Sequence, residues 1–395
     1  MRRALLVSIL TAVALAACVP PLPGGSLDGP DGGSAGAAAS STGGAGATAS
    51  GSGGMGGRAT GFAGAGPGPS GAAAGPGPVG MAGSQGGGPS SGPGAGGGPG
   101  CTPRGVRVAS TDSAANIALN IAVDSKSLFW VQHAPTSTIL VKAPVGGGDV
   151  VTLANVNGTN NWVAVGTSGV YWSETGSGNS SNIFKIGVDG GTPATVVASA
   201  APILRFTLGA DGVYWTTGTG VMKSAFDGGT PTTLTPQQSV GEIVVDAANL
   251  YWVRVDAGTI MKVATAGGAD PIVLASGQAG PISLALDGQQ HLYWVNQAAG
   301  LVMRTAIDGS GPPQPLLFPS SVKTCNGLNA QARSVAVDAM GVYWTDVAGN
   351  VFAALPGEPM NGRLLAGGWT AAFGIVLDAT TVYWMTATDI LKIAR

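Results

Sequence analysis

From about residue 101 onward, short apolar runs alternate with clusters of Gly, Asp and Asn, and the runs are too short for helices. The stretch 242–275 is representative. Glu242-Ile243-Val244-Val245-Asp246 reads as a buried strand, and Ala247-Ala248-Asn249 turns the chain. Leu250–Val253, Thr259–Val263 and Pro271–Ala275 read as three more strands, with Gly267-Gly268 in the last hairpin. Asp189-Gly190, Asp227-Gly228 and Asp308-Gly309 recur at that hairpin, supplying residues that accept the positive φ of a tight turn. Four antiparallel strands per unit make the blade of a β-propeller.

Aromatic pairs set the period. Phe129-Trp130, Tyr171-Trp172, Tyr214-Trp215, Tyr251-Trp252, Tyr293-Trp294, Tyr343-Trp344 and Tyr383-Trp384 are spaced by 42, 43, 37, 42, 50 and 40 residues. Such intervals belong to propeller blades or helical arrays. Frequent Gly and β-branched residues disfavour the helical choice. The fold class predicted is therefore all-β: a seven-bladed β-propeller over residues 101–395. The seventh unit stops at its third strand, Ile390–Arg395, whereas Arg104–Ser110 resembles the fourth strands of other units. This N-terminal strand is expected to complete the seventh blade and close the ring, leaving no long open edge.

The pattern Ile/Val-x-Val-Asp-x-x-x-Leu/Val-Tyr-Trp resembles the YWTD-type β-propellers found in low-density-lipoprotein-receptor ectodomains. Gly341-Val342-Tyr343-Trp344-Thr345-Asp346 matches that motif in full. The resemblance covers about 290 residues and implies a propeller fold; family members usually carry six blades, and this sequence counts seven. The chain also resembles YWTN-repeat lipoproteins of delta-type proteobacteria.

The segment before the repeats has a different character. Arg2 and Arg3 precede an 11-residue apolar stretch, 4–14, which is too short to span a bilayer and suits an export signal. Leu15-Ala16-Ala17-Cys18 resembles the bacterial lipobox, which implies a signal peptide over 1–17 and acylation of Cys18. Val19 after the cysteine favours the outer membrane over the inner. Residues 18–100 are expected to form a disordered Gly/Ala/Ser/Pro linker: 32 of the 82 residues in 19–100 are Gly, and Asp28, Asp31 and Arg58 are the only charges. A random coil of that length reaches about 50 Å.

Composition narrows the function. Charged residues make up 10% of the chain and the net charge is −2, which speaks against nucleic acid as a partner. The 68 Gly and 26 Pro exclude a helical bundle or coiled coil. No His-Glu-x-x-His, phosphate loop, paired-Cys motif or Ser-His-Asp order stands out, so no catalytic residue, metal or cofactor is assigned.

The recurrent Asp124, Asp246, Asp287, Asp338 and Asp378, replaced by Gly166 and Gly209 in repeats 2 and 3, read as caps of their own hairpins. The recurrent Lys142, Lys185, Lys223, Lys262, Arg304 and Lys392 read as stems packed across blades, with an anion-binding ring as the rival reading. Cys101 and Cys325 remain after Cys18; a disulfide between them is left open.

First strands line a propeller's channel. The ring at its mouth would comprise Asn120, Trp162, Arg205, Glu242, Ser283 and Ser334, with Gly374 in the last repeat, and variation there is where ligand specificity would sit. Trp162 and Trp369, outside the aromatic motif, are further ligand-surface candidates. The expected function is a membrane-anchored envelope lipoprotein, held to lipid through acylated Cys18, whose propeller binds an envelope protein or glycan. The alternative is a propeller enzyme, lyase- or lactonase-like, with its site in the channel.

Overall fold

The computed structural model describes residues 105–395, save 112–119, 134–136, 159–160, 177–179, 237–239, 289, 317–330, 357–361 and 370. Cys18, the linker, Cys101 and Cys325 lie outside the described residues.

Seven four-stranded antiparallel sheets form the blades. Blade 1 comprises Ile121–Val123, Ser127–His133, Thr138–Pro144 and Val151–Val156; blade 2 comprises Val163–Gly166, Gly169–Thr175, Ser181–Gly187 and Gly190–Ser199. Blade 3 runs through Arg205–Leu208, Val213–Thr217, Gly220–Ser224 and Thr232–Thr235, and blade 4 through Val240–Val245, Asn249–Arg254, Thr259–Ala264 and Ile272–Ala275. Blade 5 uses Pro281–Leu286, His291–Asn296, Leu301–Ala306 and Gln314–Pro315, and blade 6 uses Ala332–Asp338, Gly341–Asp346, Val351–Ala354 and Arg363–Ala366. Blade 7 takes Ile375–Leu377, Thr381–Met385 and Asp389–Ala394, and its fourth strand is Val106–Ser110. Consecutive first strands pack on one another, and Ile375–Leu377 returns to Ile121–Val123, so the ring is closed.

The repeat's side chains explain the stacking. All seven motif tryptophans are exposed by 1% or less. Each indole removes about 150–250 Å² from water, roughly 4–6 kcal/mol of transfer free energy at about 25 cal/mol per Å². The neighbouring tyrosine sits between a first-strand residue and a third-strand lysine, as in Val244–Tyr251–Lys262. Asp246 Oδ1 accepts the backbone N–H groups of Ala248 and Asn249, and its Oδ2 accepts the Tyr251 hydroxyl at 2.8 Å. Asp378 does the same for Thr380 and Tyr383. The hairpin-cap reading of these aspartates therefore holds.

Where the aspartate is replaced by glycine, the tyrosine finds another partner. In blade 3 a Cβ on Gly209 would stand 2.6 Å from the Tyr214 ring, so the tyrosine occupies the missing side chain's space. Its hydroxyl reaches Asp211 at 2.6 Å. In blade 2 Ser168 meets Tyr171 at 2.7 Å.

Four of the five recurrent lysines fasten blades to each other, while Lys185 lies 5.6 Å from the Tyr171 ring centre of its own blade. Nζ of Lys142, Lys223, Lys262 and Lys392 donates to the carbonyls of Val188, Thr265, Ile307 and Val145, each on the next blade. Blade 6 has Ala353 at that place, and its link runs the other way. Arg395 of blade 7 lies 5.3 Å from the Tyr343 ring centre and pairs with Asp338, both on blade 6. These bonds use the ammonium groups within the fold, which is the packing role rather than the anion ring.

Closure of blade 7 rests on Val106–Ser110 pairing with Asp389–Ala394, with a bulge between Arg107 and Ala109. Arg107 bonds Asp389 at 2.7 Å, and Val108 and Ala109 join the buried cluster of blades 7 and 1. Gly105, at φ 137°, passes so close to Trp384 that a Cβ would lie 2.7 Å from the indole.

Candidate functional site

The antiparallel blades place the starts of the first strands and the hairpins after the second strands on one face, called here the mouth face. The Asp hairpins lie on the far face. In blades 4, 5 and 6 the first strand is irregular near its start: register shifts fall between Val240 and Ile243, Ile282 and Leu284, and Ala332 and Ser334. Bulges re-aim side chains and recur beside functional sites. Ser283, at φ 54°, is the only non-glycine residue with positive φ among the described residues.

The structure sorts the predicted ring into two groups. Asn120, Ser283 and Ser334 are buried. Asn120 exchanges two hydrogen bonds with the backbone of Val163 in blade 2, and Ser283 Oγ accepts Val335 N–H in blade 6 at 3.0 Å. Asn120 and Ser283 thus bind blade to blade, whereas the buried Ser334 hydroxyl has no hydrogen-bond partner among the described residues. Trp162, Arg205 and Glu242, on blades 2, 3 and 4, are brought together. The Arg205 guanidinium lies 3.8 Å from the Trp162 ring centre and its Nε is 3.4 Å from Glu242 Oε2. Their side chains are only 14% and 9% exposed.

Burial governs the electrostatics here. It pushes the Glu242 carboxyl up to about 7, against the opposing attraction of Arg205. Burial likewise lowers the Arg205 pKa while Glu242 opposes it. Arginine stays charged through neutral pH, so Glu242 is the group that titrates. A carboxyl balanced near neutrality can serve as a proton donor or acceptor.

Trp162 is 3% exposed, and Arg205 covers its ring. It is therefore not the open ligand platform expected for a tryptophan outside the motif. Trp369 packs partly buried against the cluster of blades 6 and 7. Apolar exposure on the mouth face comes instead from Leu204, Val255 and Val347, at 38%, 45% and 43%. Leu204 precedes Arg205, and Val255 stands 3.2 Å from where a Cβ on Gly241 would be, next to Glu242.

Sequence reasoning missed three features of this face. Arg333, beside the bulge in blade 6, places its guanidinium 4.0 Å from the Phe373 ring centre. Glu174 and Asn296, two residues after the motif tryptophan, accept the indole N–H of Trp172 and Trp294. The recurrent offset was the available signal for the latter pair; nothing in the sequence marked Arg333, because the bulge shifts the register there. His133 is buried against Thr138, and burial lowers its pKa. Among the described residues no three His, Cys, Asp or Glu side chains converge as metal ligands.

No model of a known protein family matches the chain, and no curated protein matches it. Among solved structures it is similar to a selenomethionine-substituted virginiamycin B lyase from Staphylococcus aureus, with a TM-score of 0.58, 15% identity, and coverage of 74% of this chain and 98% of that one. It is also similar to a streptogramin B lyase (TM-score 0.56, 14% identity, 72% of this chain and 96% of that one). A third similarity is to a puromycin-hydrolysing peptidase from Mycobacterium tuberculosis (0.50, 12%, 73% and 53%). At 12–15% identity, what these chains share with this one is the propeller fold.

Proposed function

We propose that this chain is a cell-envelope lipoprotein, tethered to a membrane through acylated Cys18, whose propeller recognises a partner protein at its mouth face. The observation that carries the reading is the buried Arg205–Glu242 pair flanked by exposed Leu204 and Val255. Apolar contacts around a desolvated charged pair suit a protein surface. The motif tryptophans are buried and Trp162 is covered by Arg205, which removes the stacking platforms a glycan would use. The short apolar leader and Leu15-Ala16-Ala17-Cys18 support the anchor.

The test is crosslinking and recovery from native envelopes of the organism that makes the protein, comparing the natural chain with Leu204→Asp/Val255→Asp. The expected outcome is a discrete partner whose recovery falls at least about tenfold in the double variant, since hot-spot losses reach 2 kcal/mol or more. Equal recovery rejects the mouth face. Cys18→Ser in the same experiment is expected to move the chain from the membrane fraction to the soluble one.

The carboxyl of Glu242, held near neutrality, favours one further reading, a lyase using the same mouth. Solved propellers of similar fold are named as virginiamycin B and streptogramin B lyases. Mass spectrometry of a streptogramin B incubated with the protein would then show cleavage, abolished by Glu242→Gln; an intact antibiotic removes this reading and leaves the first standing.

A further inference from the structure

A separate polar cluster lies on the far face of blade 5, away from the mouth, and three departures from the repeat meet there. The first is an inserted residue. Asp287 stands six positions before Tyr293, whereas Asp246, Asp338 and Asp378 stand five before their tyrosines. The hairpin accordingly closes from Asp287 N–H to the carbonyl of His291, one residue further than the Asp246-to-Asn249 closure in blade 4.

The second is His291 itself. Its Nδ1 lies 3.1 Å from Asp287 Oδ2, the oxygen that receives the tyrosine hydroxyl in blades 4 and 7. Asp287 Oδ1 accepts the backbone N–H groups of Gln290 and His291. Displaced from the aspartate, Tyr293 interacts with Arg304, its cross-strand neighbour.

The third is Arg304, at the place where five blades carry Lys. Four of those lysines bond a carbonyl of the next blade. Arg304 instead donates from Nη2 to Gln314 Oε1 at 3.3 Å, within its own blade. His291, Arg304, Ser310 and Gln314 line a cavity of about 130 Å³.

The lining is rich in donors, and two carboxylates stand behind it: Asp287 on His291, and Asp308, which accepts the Ser310 N–H at 2.8 Å. The guanidinium is a planar fork of donors suited to two oxygens at once. His291, its Nδ1 engaged by Asp287, forms one wall of the cavity. Gln314, its oxygen held by Arg304, retains its amide N–H groups. No carboxylate is among the described residues lining the cavity.

We infer that this cavity is a binding site for a small oxyanion, a phosphate or a carboxylate, with Arg304 as the bidentate donor and the amide N–H groups of Gln314 as the second. The site is independent of the mouth and of the role proposed for it.

Isothermal titration calorimetry of the full chain against inorganic phosphate, and separately against acetate, tests the inference. Saturable binding with a Kd of about 1 mM or tighter is expected for at least one anion. Arg304→Lys is expected to weaken it about tenfold or more, because an ammonium cannot grip two oxygens in one plane. Lysine is the residue of the sister blades, so this variant keeps the fold. The stronger arm assigns the source, a phosphoryl group or a carboxylate. Absence of saturation by both anions, or unchanged binding in Arg304→Lys, overturns the site.

Discussion

Deleting residues 105–110 is expected to lower the melting temperature by about 10 °C or more and to make the chain self-associate. The deletion removes the outer strand of blade 7 and its ladder with Asp389–Ala394. Val108 and Ala109 leave a buried cluster shared by blades 7 and 1. Burying the valine contributes about 1.5–3 kcal/mol and each lost ladder hydrogen bond about 1 kcal/mol, which brings the loss to roughly 5 kcal/mol. At about 2–4 °C per kcal/mol for a large domain, the shift follows. Asp389–Ala394 would become an unpaired edge, a template for pairing with another copy. Arg107→Ala is the smaller contrast: the arginine side chain is 56% exposed but its partner Asp389 only 8%, and that carboxylate keeps the Thr388 hydroxyl, so losing the ion pair is expected to cost about 1–3 kcal/mol, less than the deletion. Thermal unfolding followed by circular dichroism, together with size-exclusion chromatography, measures both. An unchanged melting temperature in the deletion would show that the ring does not depend on its closing strand.

The second large effect is a pH dependence. The Glu242 carboxyl is raised to about 7 in the folded protein, above its value of about 4.5 in an unfolded chain. The folded state therefore holds this proton more tightly. The resulting stability is fully present below about pH 4.5 and is lost as pH rises through about 7. At 1.36 kcal/mol per unit, the span corresponds to roughly 3 kcal/mol.

Glu242→Gln is neutral at every pH and keeps an oxygen to accept from Arg205, so it escapes this loss. The stability difference between Glu242→Gln and the natural protein is expected to widen in favour of the variant between pH 5 and 8. Other groups titrate as well. Burial lowers the His133 pKa, giving a slope of opposite sign, and Asp211 and Asp378 lie below the ordinary carboxylate value and weaken the fold only in acid. Taking the difference between variant and natural protein cancels them. Urea unfolding at several pH values gives that difference directly, and a constant offset across the range would contradict the buried, titrating carboxyl.

The blade architecture was legible because it is written in periodic residues. An aromatic pair every 37–50 residues, an Asp hairpin before it and a Gly-containing hairpin after the third strand each act within a few residues of themselves. The absent fourth strand of the last unit and its match at Arg104–Ser110 likewise required only counting. The mouth was legible in position but not in role. Equivalent positions named Trp162, Arg205 and Glu242 as one ring; the tight convergence of these three, and the turn of Asn120 and Ser283 toward neighbouring blades, came from packing between blades.

By itself, then, the sequence determined the all-β class, the number of blades, the strand that closes them and the capping aspartates, because local turn chemistry and side-chain alternation fix these. Only the tertiary structure decided which side chains meet across blade boundaries. Arg395 standing in for a missing lysine and Arg205 spread over Trp162 both join residues from different blades. Such contacts depend on burial, bulges and the rotation from one blade to the next, and no spacing along the chain encodes them.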